Sequence, residues 1–381
     1  MIPLAIPNLT GNEREYLNRC IDTTFVSSVG EFVNQLEQMS ASICGTEYAV
    51  ATSSGTTGLH TALLSVGVQR DDLVIIPDYT FIATANAVSH CGAVPWLVDI
   101  NRESWTIDAE ILEQALLEET ERKEDKLIHK KTRRKVAAIM PVYTLGNIPD
   151  MDEIQRIAVR HGLPIVADAA CAIGAEYKGR KIGELADVSV LSFNGNKTVT
   201  AGGGGAIVGN DKSLIDLAKH LSTTARRTSE YDFDMVGYNY RMTNVQAAVG
   251  CAQLERTSEF VEKKRKIRKY YEDAFSDIPG ISMFPVPENN KSACWFSGIV
   301  LDDGDMDKIR FLCSALRKEG IEARSFWKPI HMQEPYKNCP VYGNTQIADN
   351  LWDKILTLPC STNIAETELA YVVDAVKSKM R

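Results

Sequence analysis

The stretch VSVLSFNGNKTVTAGGGGAIV, residues 188–208, sets one lysine, Lys197, between a short apolar run and four consecutive glycines, Gly202 to Gly205. A lysine after a strand is, taken alone, most often a surface residue. The glycines shift that weighting, because they let the backbone approach a ligand closely and adopt positive φ. A phosphate-cradling loop would need G-x-x-x-x-G-K-[ST] opening a helix, whereas here the lysine precedes the glycines and a strand pattern follows them. An amine with an ordinary pKa of about 10.4 that must act unprotonated near neutrality fits better as a Schiff-base former, its ammonium form disfavoured by burial and neighbouring charge.

A Schiff base needs a carbonyl partner, and an enzyme-bound carbonyl cofactor points to pyridoxal 5'-phosphate. That group also demands an acid opposite its pyridine nitrogen, a phosphate cup and a flat surface for its ring. In IVADAACAIGA, Asp168 stands near the end of an apolar run, where an unpaired carboxylate is costly to bury; the alternative is a turn former or helix cap. In ATSSGTTGLHTALL a strand pattern meets a helix pattern through Ser54, Gly55, Thr56 and Thr57. A helix N-terminus offers unsatisfied N–H groups and positive dipole for a phosphate, although capping alone accounts for one hydroxyl. Ser192, five residues before Lys197, is a second phosphate donor, and Phe81 in PDYTFIATANAV is a stacking surface that could equally be core.

These residues sit at the ends of elements that alternate along the chain. Strand patterns cover residues 48–52, 73–77, 93–100, 135–143, 163–170, 188–193 and 204–209, and helix patterns cover 56–66, 80–90, 108–118, 150–161 and 211–222. This rhythm predicts an α/β fold, a mostly parallel seven-stranded sheet covered on both faces. Ligands of such sheets collect beyond the carboxyl ends of the strands. A helical pattern over 243–275 leads to a smaller α+β domain with a strand in ACWFSGIVL, a helix in MDKIRFLCSALRKEG and a strand in IEARSFW. The expected division is a large domain of residues 1–260 and a small one of 261–381, with residues 1–30 near the small domain. The charged run 118–135 reads as a solvated helix end or surface excursion rather than a docking patch.

Composition bounds the function. The chain has 381 residues, 44% hydrophobic and 24% charged, with a net charge of -8, which argues against a nucleic-acid or anionic-membrane partner. Nine cysteines are scattered singly with no C-x-x-C pair, fitting reduced thiols and neither a disulfide framework nor a zinc site. The opening MIPLAIPNLTGNERE has no signal-peptide pattern, so the expected location is the cytoplasm. No metal is expected. An NAD-linked fold is disfavoured because no strand pattern is followed by G-x-G-x-x-G.

The motifs SSGTTGLHTAL, PDYTFIATANAV, PVYTLGNIPDM, ADAACAIGAEYKGRKIGELADVSVLSFNGNK, GGGGAIV, GYNYRMTNVQAAVG and EARSFWKPIHMQEPY resemble, in order, the DegT/DnrJ/EryC1/StrS family of sugar aminotransferases. The opening segment and SFNGNKTVTAGGGG look most like the branch acting on UDP-linked 4-keto-6-deoxy-N-acetylhexosamines. The resemblance implies the aspartate aminotransferase fold, fold type I, and a homodimer with active sites at the subunit interface. It implies that Lys197 is the Schiff-base lysine, Asp168 the pyridinium partner, and Ser192 with Gly55, Thr56 and Thr57 the phosphate cup. Phe81 matches the ring-stacking position, and Asn239 and Arg241 match residues that reach the phosphate from the other subunit. His331 and Tyr143 match the sugar side of the site.

One position departs from the pattern. Where relatives commonly carry His, Gln or Glu beside the ring, this chain has Cys171, a weak hydrogen-bond partner. Some relatives replace the lysine with histidine and act as dehydratases; Lys197 favours transamination. The implied reaction is a ping-pong transfer from L-glutamate to C4 of a nucleotide ketosugar. The alternatives are C3 of a dTDP-linked ketosugar and a non-catalytic, cofactor-binding regulatory protein.

Overall fold

The computed structural model describes residues 1–380. The seven strand patterns of the first half become strands Tyr48–Thr52, Leu73–Pro77, Val94–Val98, Val136–Ile139, Val166–Asp168, Val188–Ser192 and Gly205–Gly209. Nearly every residue in them is buried, because helices cover both faces. Successive side chains of a strand point to opposite faces, and the two cores record this. Ala51, Ile75, Trp96, Ala167, Leu191 and Ala206 join one buried cluster, while their chain neighbours Val50, Val74, Leu97, Val166, Val190 and Ile207 join the other.

Pairing divides these strands into a group of four and a group of three. Isolated parallel bridges Ile139 to Ile165 and Val142 to Asp168 connect them into one sheet. Strands Val166–Asp168 and Val188–Ser192 run parallel, as do Leu73–Pro77 and both its neighbours. Gly205–Gly209 is antiparallel to the strands on either side of it. The mostly parallel sheet is therefore as expected, with one reversed strand that turns the glycine run back beside Ser192.

A second sheet pairs Ile281–Met283, Ser297–Leu301, Ile355–Leu358 and Arg324–Ser325, in that spatial order and antiparallel throughout. Helices Met306–Lys318 and Glu366–Met380 and the latter half of Thr257–Phe275 contribute to its core. Of the first thirty residues, the opening few lie on this sheet: Ile2 bridges Ile321, and Cys360 N–H donates to Leu4 O at 2.8 Å. Helix Glu13–Asp22 instead turns back onto the 244–254 region, where Tyr16 and Asn12 both reach Glu255.

One expectation is corrected. The helical pattern 243–275 is two helices, Asn244–Leu254 and Thr257–Phe275. At the break the Thr257 hydroxyl donates to Leu254 O at 2.8 Å, a local bond that competes with the helical ladder and leaves the hydrophobic spacing unchanged. The charged run 118–135 contains a hairpin, Thr120–Lys123 with Lys126–His129. His129 anchors it by packing edge-on to Trp96, centroids 4.7 Å apart, and by its 3.0 Å contact with Glu119. Among the described residues no helix is long and apolar enough to cross a membrane.

Candidate active site

Helix Gly55–Ser65 begins at the end of strand Tyr48–Thr52. Ser54 caps it: its Oγ accepts Thr57 N–H at 3.1 Å, and Thr57 Oγ1 accepts Ser54 N–H at 3.0 Å. The absence of a side chain at position 55 has a spatial cause. A Cβ on Gly55 would stand 3.0 Å from Ser192 Cβ and 3.3 Å from its Oγ, so a side chain there would crowd this helix start against the end of strand Val188–Ser192, with which it shares one concavity. Ser53, Ser54, Gly55, Thr56 and Ser192 line it together.

Asp168 closes strand Val166–Asp168 on the floor of the same cleft and is 6% exposed. Thr84, from helix Ile82–His90, donates its hydroxyl to Asp168 Oδ2 at 2.7 Å, and Ala170 N–H donates to Oδ1 at 3.1 Å. Burial pushes the carboxyl above its ordinary range, while the Thr84 and Ala170 bonds and the charge of Lys197 pull the other way. An acid held in this manner is oriented without being neutralised by a close cation, and it can partner a protonated ring nitrogen.

Lys197 follows Ser192 through a turn in which its N–H donates to Asn194 O at 3.0 Å. Its Nζ lies 3.1 Å from Cys171 Sγ and 3.8 Å from the ring centroid of Trp295. Trp295 in turn donates Nε1–H to Asn196 O at 2.8 Å. Cys171 is buried, which raises its thiol above the ordinary value, an effect the Lys197 charge opposes. Phe81 stands at the rim, 53% exposed, its ring tilted toward Trp327 with centroids 6.1 Å apart.

Lys197, Asp168, Cys171, Ser192, Gly55, Thr56 and Phe81 thus converge on one cleft of about 480 Å³. The remaining expected residues do not line it. Thr57 spends its hydroxyl on the helix cap, where it also donates to Ser54 O at 2.9 Å. Tyr143 is fully buried in the core beneath the sheet, so a direct contact between it and a sugar is corrected. His331 is bracketed by two carboxylates instead, Nδ1 at 2.6 Å from Asp78 and Nε2 at 3.3 Å from Asp349, and its pKa is raised chiefly by Asp78. Both imidazole nitrogens are occupied in that bracket, which joins two parts of the chain. Asn239 bridges Thr223 at the end of helix Lys212–Ser222 and Arg241 bridges Thr52 at the end of the edge strand, and Tyr240 between them accepts Ser53 N–H at 2.7 Å, but neither Asn239 nor Arg241 lines this chain's own cleft.

Four contributors escaped the sequence reading. Thr84, which orients Asp168, lies on the PDYTFIATANAV motif, but nothing in its spacing names its partner. Trp295 sat inside a segment read as strand; in the structure the strand starts only at Ser297, and the indole precedes it. Phe326 and Trp327, stacked with centroids 4.3 Å apart, line the cleft with Arg324.

A profile of the DegT/DnrJ/EryC1/StrS aminotransferase family matches residues 7–377. The chain is 37% identical to a GDP-perosamine synthase of Caulobacter vibrioides, over 98% of this chain and 97% of the other. It is 30% identical to a UDP-4-amino-4,6-dideoxy-N-acetyl-beta-L-altrosamine transaminase of Campylobacter jejuni, over 99% and 97%. The greater likeness to the GDP-sugar protein corrects the expectation that the UDP branch is nearest. A crystal structure of a DegT DnrJ EryC1 StrS aminotransferase from Brucella abortus superposes with a TM-score of 0.86 at 27% identity, covering 96% of this chain and 95% of that one.

Proposed function

Because the chain belongs to the DegT/DnrJ/EryC1/StrS aminotransferase family, we propose that it transfers an amino group from L-glutamate to C4 of a nucleotide-linked 4-keto-6-deoxyhexose, GDP-linked in the first instance. Its fold is fold type I, and its cofactor is pyridoxal 5'-phosphate. The observation that carries the reading is the convergence of Lys197, Asp168 and the capped start of helix Gly55–Ser65 on one cleft.

The cleft fits this cofactor on its own terms. The close approach of the helix start to Ser192 that Gly55 permits and the N–H groups of that helix start suit a phosphate, with the Ser54 and Ser192 hydroxyls beside it. Asp168 would partner the pyridine nitrogen, and Lys197 would bond the aldehyde. When bound, the cofactor supplies an electron-accepting ring for the carbon that loses its proton. Lys197 Nζ takes that proton and returns it to the neighbouring position, acting as base and then acid. The aromatic wall of Trp295, Phe326 and Trp327 keeps water from the reacting face, and Arg324, whose guanidinium is paired with Glu322, lines the cleft beside it.

The GDP preference is supported by the greater identity to GDP-perosamine synthase. The UDP-linked N-acetylated ketosugar is the second reading, supported by the Campylobacter jejuni relative. Mass spectrometry of products from GDP- and UDP-linked 4-ketosugars, each incubated with L-glutamate, separates them. The expected result is conversion of C=O to CH–NH₂ on the GDP-linked ketone first. Conversion of the UDP-linked ketone alone, or of a dTDP-3-ketosugar alone, contradicts it.

The chain is further proposed to act as a homodimer, in which Asn239 and Arg241 of one protomer complete the phosphate site of its partner. That neither lines the cleft of its own chain supports this. Substituting Gly55→Val tests the cup: the added side chain meets Ser192 and weakens cofactor affinity by about tenfold or more, read by titrating the visible absorbance. Unchanged affinity would place the phosphate elsewhere.

A further inference from the structure

Two residues near the cleft hold left-handed backbone without being glycine, Leu145 at φ 62° and Cys294 at φ 49°. Such conformations persist where the surroundings enforce them, and they cluster at functional sites. These two segments are bonded to each other. Trp295 N–H donates to Leu145 O at 2.9 Å, and Ala293 N–H donates to Gly146 O at 3.4 Å. Leu145, Cys171 and Trp295 also share one buried cluster. One left-handed turn, in the motif PVYTLGNIPDM, therefore holds the backbone of Trp295 and packs with Cys171, the two side chains that touch the amine of Lys197.

The two contacts differ in kind. The indole presents its face to Nζ at 3.8 Å, an arrangement that attracts an ammonium electrostatically. The Cys171 sulfur, 3.1 Å away, accepts a weak N–H bond. Trp295 cannot rotate freely, because its Nε1–H is tied to Asn196 O at 2.8 Å and its ring packs on Phe296 with centroids 4.1 Å apart. Indole has no basic nitrogen, and burial keeps the Cys171 thiol protonated. What these residues contribute is the place of the amine.

Resting on the aminotransferase reading, we infer that Trp295 and Cys171 are positioning residues, a two-sided cradle that fixes Nζ of Lys197 while that amine is free of the cofactor and carries the proton. A misplacement of about 1 Å in such a transfer costs on the order of 10²-fold in rate. Cys171 thereby acquires a role suited to a thiol at a position where relatives carry a stronger hydrogen-bonding group.

The test uses the holoenzyme with Trp295→Leu, Trp295→Phe, Cys171→Ala and Cys171→Ser. Cofactor affinity is titrated, and the single turnover with L-glutamate is followed by absorbance, with protium or deuterium at the glutamate Cα. Trp295→Leu is expected to bind cofactor as the wild type does, to slow the single turnover by about tenfold or more, and to enlarge the deuterium effect. Trp295→Phe and Cys171→Ser are expected to restore most of the rate lost in Trp295→Leu and Cys171→Ala. Unchanged rates and isotope effects in Trp295→Leu and Cys171→Ala overturn the inference. So does a loss of rate matched by loss of cofactor affinity in all four variants, which marks a packing role. A wild-type holoenzyme that does not react with L-glutamate removes the aminotransferase reading itself, and the cradle with it.

Discussion

Replacing Lys197 with alanine lowers amino transfer by on the order of 10⁴-fold or more and removes the visible absorbance that covalent attachment produces, while the cofactor still binds. The size follows from the absence of a substitute in the cleft. Asp168 is engaged by Thr84 and Ala170. Arg324 is paired with Glu322. The Cys171 thiol is held in its neutral form by burial. No second amine or imidazole lines the cleft among the described residues. Absorbance and turnover of the Lys197→Ala protein check this directly, and a mutant that kept both its band and its rate would show that the lysine is dispensable.

Asp168→Asn is expected to separate activity from stability. Transfer falls by on the order of 10³-fold, because a neutral amide no longer favours a protonated ring nitrogen. The apoprotein becomes no less stable at neutral pH, and its melting temperature rises. The sign comes from linkage. Burial raises the carboxyl of Asp168 in the folded state, so between its unfolded and folded pKa the folded chain binds more protons than the unfolded one. Stability from this group is present at low pH and is lost as pH rises through the folded value. At neutral pH the wild-type apoprotein has lost it, and the amide removes that pH-dependent loss. Thermal melts of the two apoproteins from acid to neutral pH measure it. The wild type should fall relative to the mutant as pH rises, and a mutant that melts lower at pH 7 contradicts the assignment of Asp168 as a buried, functionally held charge.

Much of this site was legible in the sequence because its parts are local. Ser54 to Thr56, Asp168, Ser192 and Lys197 each lie at a strand end, where the alternation of apolar runs and turns marks position without any knowledge of the fold. Thr57 misled because a hydroxyl three residues after Ser54 serves a helix cap as well as it serves a phosphate, and the cap won. Tyr143 follows the strand Val136–Ile139 as a ligand residue would, yet its side chain points into the core. Trp295 and Thr84 were invisible for a different reason: each matters through one long-range contact, with Lys197 and Asp168 respectively, and no periodicity encodes that. The sheet itself was readable from strand-length apolar runs, whereas the break at Thr257 depends on one side-chain hydrogen bond. The hairpin within the charged run depends on His129 meeting Trp96. Charge composition carries no trace of either.

The account stands on a covalent bond between the cofactor and one nitrogen. Borohydride reduction of the holoenzyme, followed by digestion and mass analysis of the peptides, locates that bond. The expected result is a single pyridoxyl adduct on Lys197, absent when an excess of L-glutamate has first converted the cofactor to its amine form. An adduct on any other lysine, or none with the visible band still present before reduction, would contradict it.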